Sequence, residues 1–128
     1  MSDKVNFSYK ANYNQTTSKS ATLSSNAVVR QLQQQASVNY NPSARLFFKA
    51  SGDHYFTQQT QANDLRYIFA DASAKYKLNK SKIDIELSAV NLFDTRTYSA
   101  LYLSANTFTS NTYVIPGRMI LMKVYFNL

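Results

Sequence analysis

The chain has 128 residues, enough for one domain or a piece of one. It has no cysteine, one histidine, two glycines and two prolines, which excludes disulfide scaffolds, thiolate metal centres, collagen-like chains and flexible linkers. Lys and Arg number 14 against seven Asp and Glu, and the formal charge of +7 suits nucleic acid, an anionic ligand or an anionic membrane surface without choosing among them. Ten Tyr and eight Phe stand among many Ser, Thr, Asn and Gln, a mixture that favours strands.

Period-2 alternation is the dominant signal along the chain. Val5, Phe7, Tyr9, Ala11 and Tyr13 alternate with Asn6, Ser8, Lys10, Asn12 and Asn14. A polar stretch at 15–27 reads as a loop. From Val28 to Tyr40 the even positions are mostly apolar, with Arg30 and Gln34 as exceptions, and the run Gln33-Gln34-Gln35 is also compatible with a helix. Asn41-Pro42-Ser43-Ala44 predicts a tight turn, because proline fixes one φ angle and Asn and Ser bond to nearby backbone. Leu46, Phe48 and Ala50 open the next strand, which runs to about Thr57, and 58–64 is a short polar loop. Ile68, Ala70, Ala72, Ala74, Tyr76 and Leu78 form the apolar side of a fourth strand. Asn79-Lys80-Ser81-Lys82 is a second tight turn, and Ile83, Ile85, Leu87 and Ala89 follow. A Ser/Thr/Asn/Tyr loop is expected over 95–112 before a last strand at 119–128. The sum is an all-β chain, an antiparallel up-and-down meander of six strands of roughly 10–14 residues, against a usual ~5–6. Tight turns at 41–44 and 79–82 alternate with longer connections, the asymmetry of a transmembrane β-barrel wall.

The turn at 79–82 sets a register for its hairpin. Leu78 should face Ile83, Tyr76 face Ile85 and Ala74 face Leu87, while Lys77 meets Asp84 and Lys75 meets Glu86 on the other side. A slip of one residue would set lysines against isoleucines. The lysines and carboxylates then read as a ladder of directly opposed ion pairs.

The segment Asn91-Leu92-Phe93-Asp94-Thr95-Arg96-Thr97-Tyr98 resembles the N-L-F-(D/N)-x-x-x-Y motif of TonB-dependent outer-membrane receptors, late in their barrel. Pro116-Gly117-Arg118 is similar to the family's lead-in to its final strand, and the turns at 41–43 and 79–81 resemble its periplasmic turns. The likeness is closest to receptors of Bacteroidetes-type bacteria. It implies that residues 1–128 are the C-terminal segment of a barrel of about 22 strands, without the plug and most of the wall. Met1 then reads as an added start, which agrees with the lack of an apolar leader after it. The alternation Ile120, Met122, Val124, Phe126, Leu128 resembles the terminal signal read by the barrel-assembly machinery, with Leu128 where Phe or Trp is usual.

The resemblance implies an outer-membrane location in a Gram-negative cell and import of a nutrient such as a siderophore, an oligosaccharide or a peptide, driven by TonB through the missing N-terminal part. Membrane lipid, the rest of the barrel and the plug are the implied partners. Tyr98, Tyr102 and Phe108, on the long loop, are the candidate ligand contacts. Tyr40, Tyr76 and Phe126 near one end of the strands, and Tyr13, Phe56 and Phe93 near the other, match the two aromatic girdles of such a barrel.

Other chemistry is poorly supported. Asp84 and Glu86 share a face, but lysines oppose them. Asp53 and His54 are strand neighbours and point to opposite faces. Lys75, Lys77, Lys80 and Lys82 near Tyr76 imitate a single-strand nucleic-acid patch, yet Tyr76 lies on the face away from Lys75 and Lys77. Three Asn-x-Ser/Thr triplets are discounted as chance. The expectation is a protein that is not an enzyme, needs no cofactor or metal, and binds no nucleic acid. An isolated segment of this kind should self-associate. The competing reading is a soluble β-sheet module that binds carbohydrate or nucleic acid.

Overall fold

A computed structural model describes residues 4–19, 26–60, 63–78, 82–103 and 108–126. Eight strands lie among them: β1 Val5–Lys19, β2 Asn26–Ser43, β3 Leu46–Gln59, β4 Leu65–Leu78, β5 Ile83–Val90, β6 Thr97–Leu103, β7 Phe108–Val114 and β8 Met119–Phe126. Six form one antiparallel sheet in the order β1-β2-β3-β4-β5-β8, and β6 and β7 pair only with each other. The large sheet is an open meander, with β1 and β8 as its edges.

The register separates the sheet's two faces. One row runs Phe7, Val38, Ala50, Ala72, Ala89, Ile120 across all six strands. The row beside it runs Asn6, Asn39, Lys49, Ser73, Ser88, Leu121 and is polar until its last member. Directly opposed residues share a face, so the first row belongs to an apolar face and the second to a polar one. Val38, Phe48, Ala74, Ile83, Ile85, Leu87, Val124 and Phe126 all fall on the apolar face, as do Ile120 and Met122. Leu128 lies outside the described residues.

The β4–β5 register is the expected one at all five pairs. The ion pairing differs. Lys75 reaches diagonally to Asp84 at 3.0 Å, and Glu86 meets Lys123 of β8 at 3.9 Å. Lys77 lies 5.0 Å from the Phe47 ring centre. The long lysine side chain spans the diagonal distance easily, so opposed backbones do not dictate opposed charges.

Three connections also differ from expectation. The polar stretch at 15–27 is largely strand, since β1 runs to Lys19 and β2 starts at Asn26, with Thr16 and Thr17 opposite Val29 and Val28. Thr and Val are both good strand formers, and their polarity hid the continuation. The first tight turn is Ala44-Arg45, while Asn41 and Pro42 occupy an irregularity where the β2–β3 register shifts between Tyr40 and Ser43. Such a bulge tolerates a proline that cannot donate to the ladder. The expected loop at 95–112 holds the β6–β7 hairpin. The second turn spans the right positions between Leu78 and Ile83, but 79–81 lie outside the described residues.

Polar residues on the apolar face satisfy one another. Gln34 donates to the Tyr9 hydroxyl at 2.8 Å and meets His54 Nδ1 at 3.0 Å. Arg30 donates to Gln15 and Gln58, each at 3.2 Å. The aromatic borders also line up: Tyr40 stacks on Phe48 with centroids 6.2 Å apart, and Tyr13, Leu32 and Phe56 share a row near the other end.

Because the chain has no native cysteine, the register can be tested by cross-linking. Ser73→Cys with Ser88→Cys places two thiols directly opposite and should oxidise to a disulfide. Ser73→Cys with Leu87→Cys puts the thiols on opposite faces and should stay reduced, as read by mobility on a non-reducing gel.

Candidate functional site

The motif residues meet where β5 ends. Asn91 and Asp94 both adopt positive φ, 54° in each case. Asn and Asp enter this left-handed region more readily than other side chains. Between them Leu92 and Phe93 form a turn closed by the Asp94 N–H donating to the Asn91 carbonyl at 2.9 Å.

Asn91 is 4% exposed, and each of its polar groups is bonded. Its N–H donates to Asp71 Oδ1 at 2.8 Å. Its side-chain amide donates to the carbonyls of Thr95 (2.8 Å) and Pro116 (3.0 Å) and accepts from the Thr95 N–H at 3.0 Å. One residue therefore ties β4, through its backbone N–H, to the turn and the approach to β8, through its side chain. Thr95 Oγ1 adds a bond to the Ile68 carbonyl at 2.7 Å, and the Leu92 N–H donates to Ala70 at 2.8 Å.

Asp94 completes the knot. Its Oδ1 accepts the Arg118 backbone N–H at 2.8 Å, and its Oδ2 accepts two bonds from the Arg96 guanidinium at 3.1 and 3.2 Å. The Arg118 N–H, helped by Arg96, holds the carboxyl below the usual aspartate range. A Cβ on Gly117 would lie 2.7 Å from Asp94 Oδ1, so a larger residue there would push that carboxylate oxygen from its place on the Arg118 N–H. The Ile115 N–H donates to the Arg96 carbonyl at 2.8 Å and closes the base of the β6–β7 hairpin.

Asn91, Asp94, Pro116, Gly117 and Arg118 thus come together, and their work is structural. Leu92 and Phe93 sit on the exposed turn, with Phe93 beside Tyr9, Gly52, Ile68 and Ala70 at a shallow apolar concavity. Arg118 contributes its backbone N–H.

No family model, curated protein or solved structure matches the chain. Function must be read from the residues and their placement.

The expected ligand contacts separate. Tyr98 packs among Tyr55, Tyr67 and Phe69 on the polar face, with centroids 5.7, 5.1 and 6.3 Å away, and stacks on Tyr113 at 6.5 Å. The Ser99 N–H donates to the Tyr67 hydroxyl at 3.1 Å. The hairpin therefore folds back over the polar face, and Tyr98 anchors it. Tyr102 is exposed. Phe108 opens β7 opposite Leu103, and its side chain lies outside the described residues. Sequence reading missed Tyr55, Tyr67 and Phe69 as the hairpin's seat. The available signal was three aromatics on an otherwise polar strand face, which calls for a cover.

Asn91→Ala leaves three part-buried backbone groups unpaired and puts alanine in the left-handed region. It should destabilise the fold by about 2–4 kcal/mol, read from the urea midpoint by tyrosine fluorescence. Gly117→Ala should loosen the same knot by a smaller amount.

Asp94 also gives the knot an acid sensitivity. A carboxyl whose pKa is lowered on folding contributes stability above its unfolded value, near 3.8, and loses it as pH falls through the lower folded value. The Arg118 amide proton shift should titrate with a midpoint below 3.8, and Asp94→Asn should abolish that titration.

Proposed function

We propose that the chain is a C-terminal wall segment of a TonB-dependent outer-membrane receptor that imports a nutrient ligand. The observation that carries this reading is the uncovered apolar face of the six-stranded sheet. Phe7, Leu87, Ile120, Met122 and Phe126 on that face are 53–73% exposed. Contiguous apolar surface of this kind rarely stays bare in a water-soluble monomer. Lipid on the apolar face and the receptor lumen on the polar face account for the two-sided pattern, and the aromatic borders fit the two membrane interfaces.

Strand length supports the same assignment. β1, with 15 residues, β2, with 18, and β3 and β4, with 14 each, exceed the ~9–11 residues that a tilted strand needs to cross hydrocarbon, whereas β5 and β8, with eight each, are shorter than the expected ~10–14. In the receptor, the remaining wall strands pair with the open edges β1 and β8. This segment then supplies wall, the inward-folded hairpin and the terminal alternation for assembly. The nutrient and the coupling to TonB belong to the whole receptor, and Tyr102 remains exposed for ligand.

The test compares faces and solvents. In lipid vesicles, Leu87→Arg should cost about 2–4 kcal/mol if the residue lies near mid-depth, whereas Ser88→Ala on the polar face should cost less than half as much. Without detergent the chain should scatter light as an assembly. A monodisperse species of 14.6 kDa in water would overturn the receptor reading and favour the soluble β-sheet module.

A further inference from the structure

The polar face is electrically lopsided. From the row through Asn39, Lys49, Ser73 and Ser88 outward to the tight turns, the described residues include Lys4, Arg45, Lys49, Lys75, Lys77, Lys82 and Lys123, against only Asp84 and Glu86. Both carboxylates are already engaged, Asp84 by Lys75 and Glu86 by Lys123, Ser88 and the Tyr125 hydroxyl. Lys4, Arg45, Lys49, Lys77 and Lys82 have no carboxylate partner among the described residues and are exposed. Lys49 and Lys77 border a concavity of about 480 Å³ with Asn39, Asn41, Phe47 and Glu86.

We propose that this basic concavity is a docking groove for an acidic peptide segment lying along the polar face. Exposed ammonium groups there meet carboxylates, and the Asn39 and Asn41 side chains offer both donors and acceptors to a peptide backbone. A nucleic acid fits less well. Base stacking needs an open ring, and the polar-face rings Phe47 and Tyr125 at this end are capped by cations: Lys77 lies 5.0 Å from the Phe47 centroid and Lys75 lies 4.7 Å from that of Tyr125. A lipid headgroup is also disfavoured, because the groove opens on the face opposite the apolar rows that acyl chains would cover. The inference needs only an accessible polar face, so it stands apart from the receptor assignment.

The experiment uses the whole chain in an uncharged detergent. A labelled peptide alternating Glu with Ser is titrated beside its Gln counterpart, an oligothymidylate of equal length and vesicles containing phosphatidylglycerol. The acidic peptide should bind, the Gln peptide should not, and binding should weaken as salt rises. Lys49→Gln combined with Lys77→Gln should weaken it by about tenfold or more, while Lys10→Gln, toward the other end of the same face, should leave it unchanged. The Ser73/Ser88 cross-link, introduced into the same variants, reports that the sheet has formed, and the salt series on the unsubstituted chain needs no variant at all. Equal binding of the two peptides, an equal effect of Lys10→Gln, or tighter binding of the oligonucleotide or the vesicles would overturn the proposal.

Discussion

The sheet depends on one constraint: at each of five strand seams the pairing must keep both faces in phase. Strand side chains alternate with a period of two, so a one-residue slip at any seam would exchange faces for every strand beyond it. The row from Phe7 to Ile120 could not then remain apolar, nor the row from Asn6 to Ser88 polar. Registers this strongly specified give a uniquely ordered sheet although very little of it is buried. Among the described residues only Val29 and Leu101 form a buried apolar set. Order here comes from ladders and cross-strand rows, with the apolar surface turned outward.

The same constraint explains what was legible in the sequence. The β4–β5 pairing could be read residue by residue because apolar and charged positions fitted only one register. The apolar-face membership of Val38, Phe48, Leu87 and Val124 followed from alternation alone. The hairpin at 97–114 was not legible. Nine of its 14 strand residues are Ser, Thr, Asn or Tyr, a composition shared by exposed loops and by strands lying on a polar sheet face, and the seat of Tyr55, Tyr67 and Phe69 is what distinguishes the two. The ends of β1 and β2 were hidden for the same reason. The diagonal reach of Lys75 to Asp84 depends on rotamers, which pairing rules do not encode.

The knot at Asn91 shows a different limit. The string of motif residues is visible in the sequence, but the geometry that unites it is not. It needs left-handed backbone at Asn91 and Asp94, a carboxylate from Asp71 twenty positions earlier, and a glycine where Asp94 approaches Arg118. A buried amide is costly unless its hydrogen bonds are made, and the bonds of Asn91, backbone and side chain together, join three separate stretches of chain. Asn91 consequently converts a local turn into the junction between the large sheet and the hairpin.

That junction separates two parts of the chain mechanically. Asn91, Asp94 and the Ile115–Arg96 bond clamp both feet of the hairpin, and among the described residues no ladder bonds join β6 or β7 to the large sheet. The β5–β8 ladder itself uses no residue between 97 and 114. The hairpin is therefore a separate excursion, and a change of length there reshapes what the polar face presents without altering the pairing of any strand in the large sheet. The join depends instead on the clamp residues Asn91 and Asp94, which bond the stretch from Pro116 to Arg118 that leads into β8.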